Sequence, residues 1–124
     1  MEMGIGIHGE PGTHRQALAS ADELALALLT RLSEDLKLER GARLAAMVNG
    51  MGATPLIELA ILARKVGQWA EVQEHRLETM WVGEFMTSLE MAGASLTLLR
   101  LNDRLAELLQ APADTPALRQ GSRI

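Results

Sequence analysis

The chain contains no cysteine, so disulfides, zinc–thiolate sites and thiol nucleophiles are all excluded. Aromatic residues are nearly absent: Trp69, Trp81 and Phe85 are the whole set. The core must therefore be built from Leu, Ile, Val, Ala and Met. There is no basic run and no interleaving of basic with aromatic residues, and the net charge is −4. Nucleic acid is not expected as the main partner. No uninterrupted apolar stretch reaches the roughly 18 residues of a membrane span, and no charged-then-apolar leader opens the chain. A soluble, cytoplasmic protein with no membrane partner is the expectation.

What is present is ordinary for a globular domain. The 124 residues suffice for one hydrophobic core, with 48% hydrophobic and 23% charged residues. Met3-Gly-Ile-Gly-Ile-His8 alternates glycine with isoleucine and predicts a short first strand, broken by the loop Gly9-Glu-Pro-Gly12. A helix is expected from Ala21 to about Leu38, with Leu24, Leu28, Leu32 and Leu36 at every fourth position and Asp22 and Glu23 at its positive end. Arg43–Asn49 reads as a second strand. It enters a glycine loop, Gly50-Met-Gly-Ala-Thr54-Pro55, where Thr54 suits an N-cap and Pro55 a first helical position. The following helix should reach about Glu74, burying Leu59, Leu62, Val66 and Trp69, with Ile57 and Ile61 widening the apolar face.

Leu77–Val82 and Ala94–Leu101 read as further strands, and Glu84–Gly93 as a turn or short irregular helix. Asn102-Asp103 caps a final helix through Leu109, and an extended tail occupies 111–124. The strand at Ala94 follows its predecessor too closely for a helical crossover, so it should lie antiparallel to its neighbour. These features predict an α/β domain over 1–110, a mixed, mostly parallel sheet of about four strands with helices packed on it. The chain starts inside its first predicted strand, which suggests a piece or a short relative of something longer.

Several motifs have a chemical reading and a plain one. Gly4-x-Gly6-x-x-Gly9 matches the dinucleotide fingerprint in spacing only, because its glycines lie in the predicted strand and a proline loop follows. Gly50-x-Gly52-x-Thr54-Pro55 is placed to offer backbone N–H groups to an anion, but lacks a P-loop lysine; a tight connection is the plainer reading. His8, Glu10 and His14 have no metal-ligand spacing, so no metal is expected. Asp103, Glu107, Glu71 and Glu74 fit solvated helix faces. His8 ends a glycine-rich strand beside Gly9, which leaves its imidazole uncrowded. A neutral imidazole nitrogen is nucleophilic near neutral pH, and Glu10 is close enough in sequence to orient it. On position alone, a satisfied structural histidine remains the commoner case.

Three blocks, Met3-GIGIHGEPG-Gly12, Met47-VNGMGATPLIEL-Leu59 and Val82-GEFMTSLEMAGASLTLLRL-Leu101, resemble the dihydroxyacetone kinase family, and Ala111-PADTPAL-Leu118 is similar to the end of its binding subunit. They run in the family's order over most of the chain. The resemblance is to the carboxy-terminal part of the dihydroxyacetone-binding subunit. It implies that His8 forms a covalent hemiaminal with the substrate, with Glu10 as a second candidate for substrate contact. It implies a short ketose as ligand, a nucleotide-binding kinase subunit or domain as partner, and a homo-oligomer. No cofactor is expected on this chain, with ATP or ADP–Mg carried by the partner. The family's amino-terminal region, with its glycine-rich loop, catalytic histidine and later aspartate, has no counterpart here. The expectation is therefore a substrate-capturing part of a kinase; a ketose-sensing module and an inactive oligomerising remnant are the alternatives. Roles for Glu10, Asn49 and Glu84 stay open.

Overall fold

The computed structural model describes residues 1–116 and 118–121. The first long element, α1 (Ala21–Leu36), starts where Ser20 and Glu23 form a reciprocal cap, each side chain bonding the other's backbone N–H. It ends two residues before the expected Leu38, because Lys37 turns left-handed at φ 49° and its N–H returns to the Glu34 carbonyl. Ala25 and Leu29 are the fully buried centre of its inner face, with Leu24 and Leu32 flanking them.

Next come β3 (Arg43–Gly50), α2 (Leu56–Val72) and β4 (Arg76–Gly83), after two short strands described below. β3 and β4 pair in parallel, joined by the α2 crossover, and β5 (Ala94–Arg100) pairs antiparallel along the other side of β3. The order β4-β3-β5 gives a mixed sheet of three strands. Alternation along β3 sends Leu44, Ala46 and Val48 toward the helices. There they meet Leu59, Leu62, Val66 and Trp69 of α2 and the inner face of α1. Ala45 faces the other way, onto α3 (Asp103–Leu109), through Leu101 and Ala106. Asn102 caps α3 by accepting the Leu105 N–H at 2.8 Å.

The class, an α/β layer with an antiparallel last strand, is the expected one; several details differ. Met3–His8 is not a strand of the sheet. Only Glu2–Met3 (β1) is extended, and it pairs with His14–Arg15 (β2) as a separate two-stranded ribbon. Gly4 and Gly9 take positive φ, at 73° and 84°, which turns the chain out of extended geometry. Ile57 and Ile61 face solvent rather than widening the core, at 68% and 41% exposed. Pro55, not Thr54, is the N-cap of α2. The Thr54 hydroxyl instead donates to the Gly93 carbonyl at 2.7 Å. In the expected extended tail, β6 (Ala113–Asp114) pairs with β7 (Arg119–Gln120), and residues 117 and 122–124 lie outside the described residues.

Two polar devices hold the ends of the sheet. At its lower end Arg43 clasps Glu78 through Nε at 2.5 Å and reaches Asp103, so β3, β4 and α3 share one guanidinium. That contact with Arg43 holds the Glu78 carboxyl below the ordinary carboxylate range. At the upper end Asn49 is the one buried polar residue among those described. Its Oδ1 accepts from Phe85 N at 2.8 Å and Met86 N at 2.9 Å. Its Nδ2 donates to Met86 O at 2.6 Å and Ser95 Oγ at 3.1 Å. All four hydrogen-bonding positions of the amide are used, and the segment after β4 is fixed by it.

Asn49→Ala should cost about 2 kcal/mol in urea denaturation, because two backbone donors and a carbonyl lose their partner. Asn49→Asp, nearly isosteric, should also destabilise, since it sets an oxygen against Met86 O. His75 supplies a pH-dependent term. Its Nδ1 is enclosed without a partner, its ring lies 5.1 Å from that of Trp69, and burial lowers its pKa below 6.5. The unfolded chain therefore binds that proton more readily. The stability His75 permits is complete above the unfolded value of about 6.5 and falls as pH drops from there through the lower folded value. His75→Gln should flatten that part of the stability–pH curve measured by chemical denaturation.

Candidate functional site

The ribbon of β1 and β2 presents residues 4–13 as a loop with a fastened base. Thr13 N donates to Met3 O at 2.7 Å, Gly12 N to Glu2 Oε1 at 2.8 Å, and Arg15 Nε to Glu2 Oε2 at 2.9 Å. The Gly12 N–H, and after it Arg15, hold the Glu2 carboxyl below its ordinary range. Gly12 stands where a Cβ would strike the Met3 carbonyl, so the two sides of the loop approach backbone to backbone. Met3 is buried, and Arg31 of α1 donates to the Thr13 hydroxyl at 3.2 Å, which ties the loop to the helix layer.

At the tip the chain turns twice, with Gly9 N donating to Gly6 O and Gly6 N to Glu10 O, both at 3.0 Å. His8 sits on this turn. It lies on the ribbon's loop rather than at the end of a sheet strand, and its side chain is 81% exposed. Its Nδ1 is 3.5 Å from Glu10 Oε1, its backbone N–H donates to Glu10 Oε2 at 3.2 Å, and Nε2 has no partner among the described residues. The Glu10 carboxyl is lowered first by its own backbone N–H, then by the His8 N–H and ring. This carboxylate therefore bonds within the turn, while its side chain stays 60% exposed. His14 is elsewhere, its ring between the Thr13 hydroxyl at 3.0 Å and Gln16 Oε1 at 3.1 Å.

The glycine loop after β3 is closed by the chain itself. Met51 N donates to Gly93 O, and Ala53 N to Met91 O, both at 3.2 Å. Gly52, at φ 107°, packs against the carbonyls of Ser88 and Leu89. Two of the loop's N–H groups are thus taken by the protein's own carbonyls, which fits the plainer reading of a tight connection. Glu84 lies over Gly50 so closely that a Cβ there would overlap its carboxylate. Two surface grooves of about 360 Å³ each involve the carboxy-terminal half of α2, one with Arg40 and His75 and one with Leu26 and Trp69, and neither includes His8.

Sequence reasoning singled out His8 and Glu10 as candidates and missed the Asn49 pin and the enclosed Nδ1 of His75. Asn49 signalled itself only as a polar residue ending an apolar strand. His75 gave no signal, because its burial depends on Trp69, one helical turn and a half away.

A protein-family model described as the Dak1 domain matches residues 1–117. The dihydroxyacetone-binding subunit of PTS-dependent dihydroxyacetone kinase 1 from Listeria innocua is 45% identical over 118 residues, covering 94% of this chain and 36% of that protein. An L-erythrulose kinase from Pectobacterium atrosepticum is 40% identical over 126 residues, covering 98% of this chain and 21% of the enzyme. Among solved structures, a dihydroxyacetone kinase operon co-activator superposes with a TM-score of 0.80 at 32% identity, over 88% of this chain and 34% of that one. The chain thus spans about a third or less of these relatives. With nearly its whole length matched by that model, the chain belongs to the Dak1 domain family of dihydroxyacetone kinases.

Proposed function

We propose that this chain is the ketose-capturing, carboxy-terminal part of a cytoplasmic dihydroxyacetone-binding subunit. His8 Nε2 forms the bond to the ketone carbon. The observation that carries this reading is an imidazole on an exposed glycine turn with one nitrogen beside a carboxylate and the other unoccupied. A covalent adduct holds the ketose with a hydroxymethyl group presented for phosphoryl transfer, and fixing the acceptor is much of what such a reaction requires. Glycerol has no carbonyl and cannot form the bond, so selection follows reactivity where pocket shape alone discriminates poorly. The ketose is dihydroxyacetone or a close homologue; the erythrulose kinase relative supports a site tolerant of one more carbon. The phosphoryl donor, ATP or an ADP–Mg relay, belongs to a partner subunit or domain. The remaining two thirds of the subunit complete the pocket.

The likeness to an operon co-activator favours a second reading, a ketose sensor without phosphoryl transfer. Both readings retain His8. They separate when the captured ketose meets a nucleotide-loaded partner: a phosphorylated product marks the kinase, and its absence the sensor.

Titration with carbon-13-labelled dihydroxyacetone should produce a new tetrahedral carbon signal together with a shift of the His8 ring in NMR spectra. His8→Ala should abolish the carbon signal completely, and glycerol should produce none in either protein. Wild-type spectra unchanged at millimolar ketose would overturn the capture reading.

A further inference from the structure

The exposed turn raises a question of tautomer. A neutral imidazole keeps one nitrogen protonated, and the isolated histidine side chain favours the proton on Nε2, the nitrogen that has to attack. We propose that Glu10 is the positioning residue for His8: its carboxylate holds the ring proton on Nδ1, leaving the Nε2 lone pair free for the ketone carbon. The inference rests on the reading of His8 as the capturing residue.

Three features direct the Glu10 charge at the ring. One oxygen accepts the His8 backbone N–H at 3.2 Å and the other lies 3.5 Å from Nδ1. Gly6 packs against the carboxylate so tightly that a Cβ at residue 6 would overlap it. Residue 6 is therefore glycine for close approach, since its backbone needs no positive φ. No arginine or lysine among the described residues is paired with Glu10. The Glu10 charge also persists to lower pH than an ordinary carboxylate's, because backbone N–H groups bind it. The 3.5 Å separation is loose for a neutral ring, and such contacts tighten as charge develops.

The same group serves the addition itself. The Nε2 lone pair forms the bond to the ketone carbon, and the carbonyl π pair moves onto oxygen, which takes a proton from water. The ring is then cationic until its Nδ1 proton leaves to solvent, giving a neutral hemiaminal. A carboxylate beside Nδ1 stabilises that cation, as the buried aspartate of a serine-protease triad stabilises its imidazolium. At this exposed site a charge about 4 Å away changes the rate on the order of fivefold.

The test uses nitrogen-15-labelled protein at about pH 8.5, where imidazoles are largely neutral. Long-range proton–nitrogen spectra then distinguish Nδ1–H from Nε2–H for each ring. Wild-type His8 should be mainly Nδ1–H. Glu10→Gln should return it to mainly Nε2–H and slow adduct formation with dihydroxyacetone about fivefold. Gly6→Ala, which displaces the carboxylate without removing it, should move the tautomer the same way, and the dispersed amide signals of β3 verify that each variant is folded. A wild-type ring mainly in the Nε2–H form, or one indifferent to Glu10→Gln, overturns the proposal whether or not a ketose binds. A tautomer that follows Glu10 in a protein forming no adduct supports the positioning role and overturns the capture reading alone.

Discussion

The structure depends on β3 being paired along both sides and covered by the helix layer on its inner face. One side carries the parallel ladder to β4, the other the antiparallel ladder to β5. Its inward residues Leu44, Ala46 and Val48 have essentially no exposed surface. A strand in that position can carry no side chain that is both large and polar unless every polar atom finds a partner. Asn49 meets the condition by using its whole amide, which fixes the segment after β4 and, through it, the glycine loop. The upper end of the sheet is thus set by one side chain, and the lower end by the Arg43–Glu78–Asp103 cluster.

The helices and strands were legible because their patterns are long. Leu59, Leu62, Val66 and Trp69 recur at helical spacing, and the apolar run at Arg43–Asn49 is too short for a helix and is bounded by glycine. The antiparallel β5 followed from the distance along the chain between Val82 and Ala94. Where reading failed, the deciding contact was local backbone geometry or a distant partner. Alternating Gly and Ile at residues 3–8 imitates a strand, yet positive φ at Gly4 turns the chain. Ile57 and Ile61 match the apolar period but sit one step beyond the face that β3 can cover. Thr54 has the chemistry of a cap, and its hydroxyl is claimed by Gly93, thirty-nine residues on.

The candidate site was legible only in part. The motif around His8 marks an imidazole with room on one side, and the structure places it on a turn outside the sheet. What no pattern conveyed is the inward direction of Glu10, which depends on Gly6 having no side chain. A glycine chosen for the space beside it and a glycine chosen for its torsion angle look alike in a sequence. Gly6 and Gly9, three residues apart, are one of each.

The ribbon that carries His8 is clasped at its own base and touches the main body through Arg31 and the buried Met3. Stability of the sheet and geometry of the His8 turn are therefore separable quantities. Damage to the core lowers the fraction of molecules that are folded, while each folded molecule keeps an unaltered turn; damage to the turn does the reverse. Substitutions along the helices can then accumulate without moving the turn that carries the His8 ring.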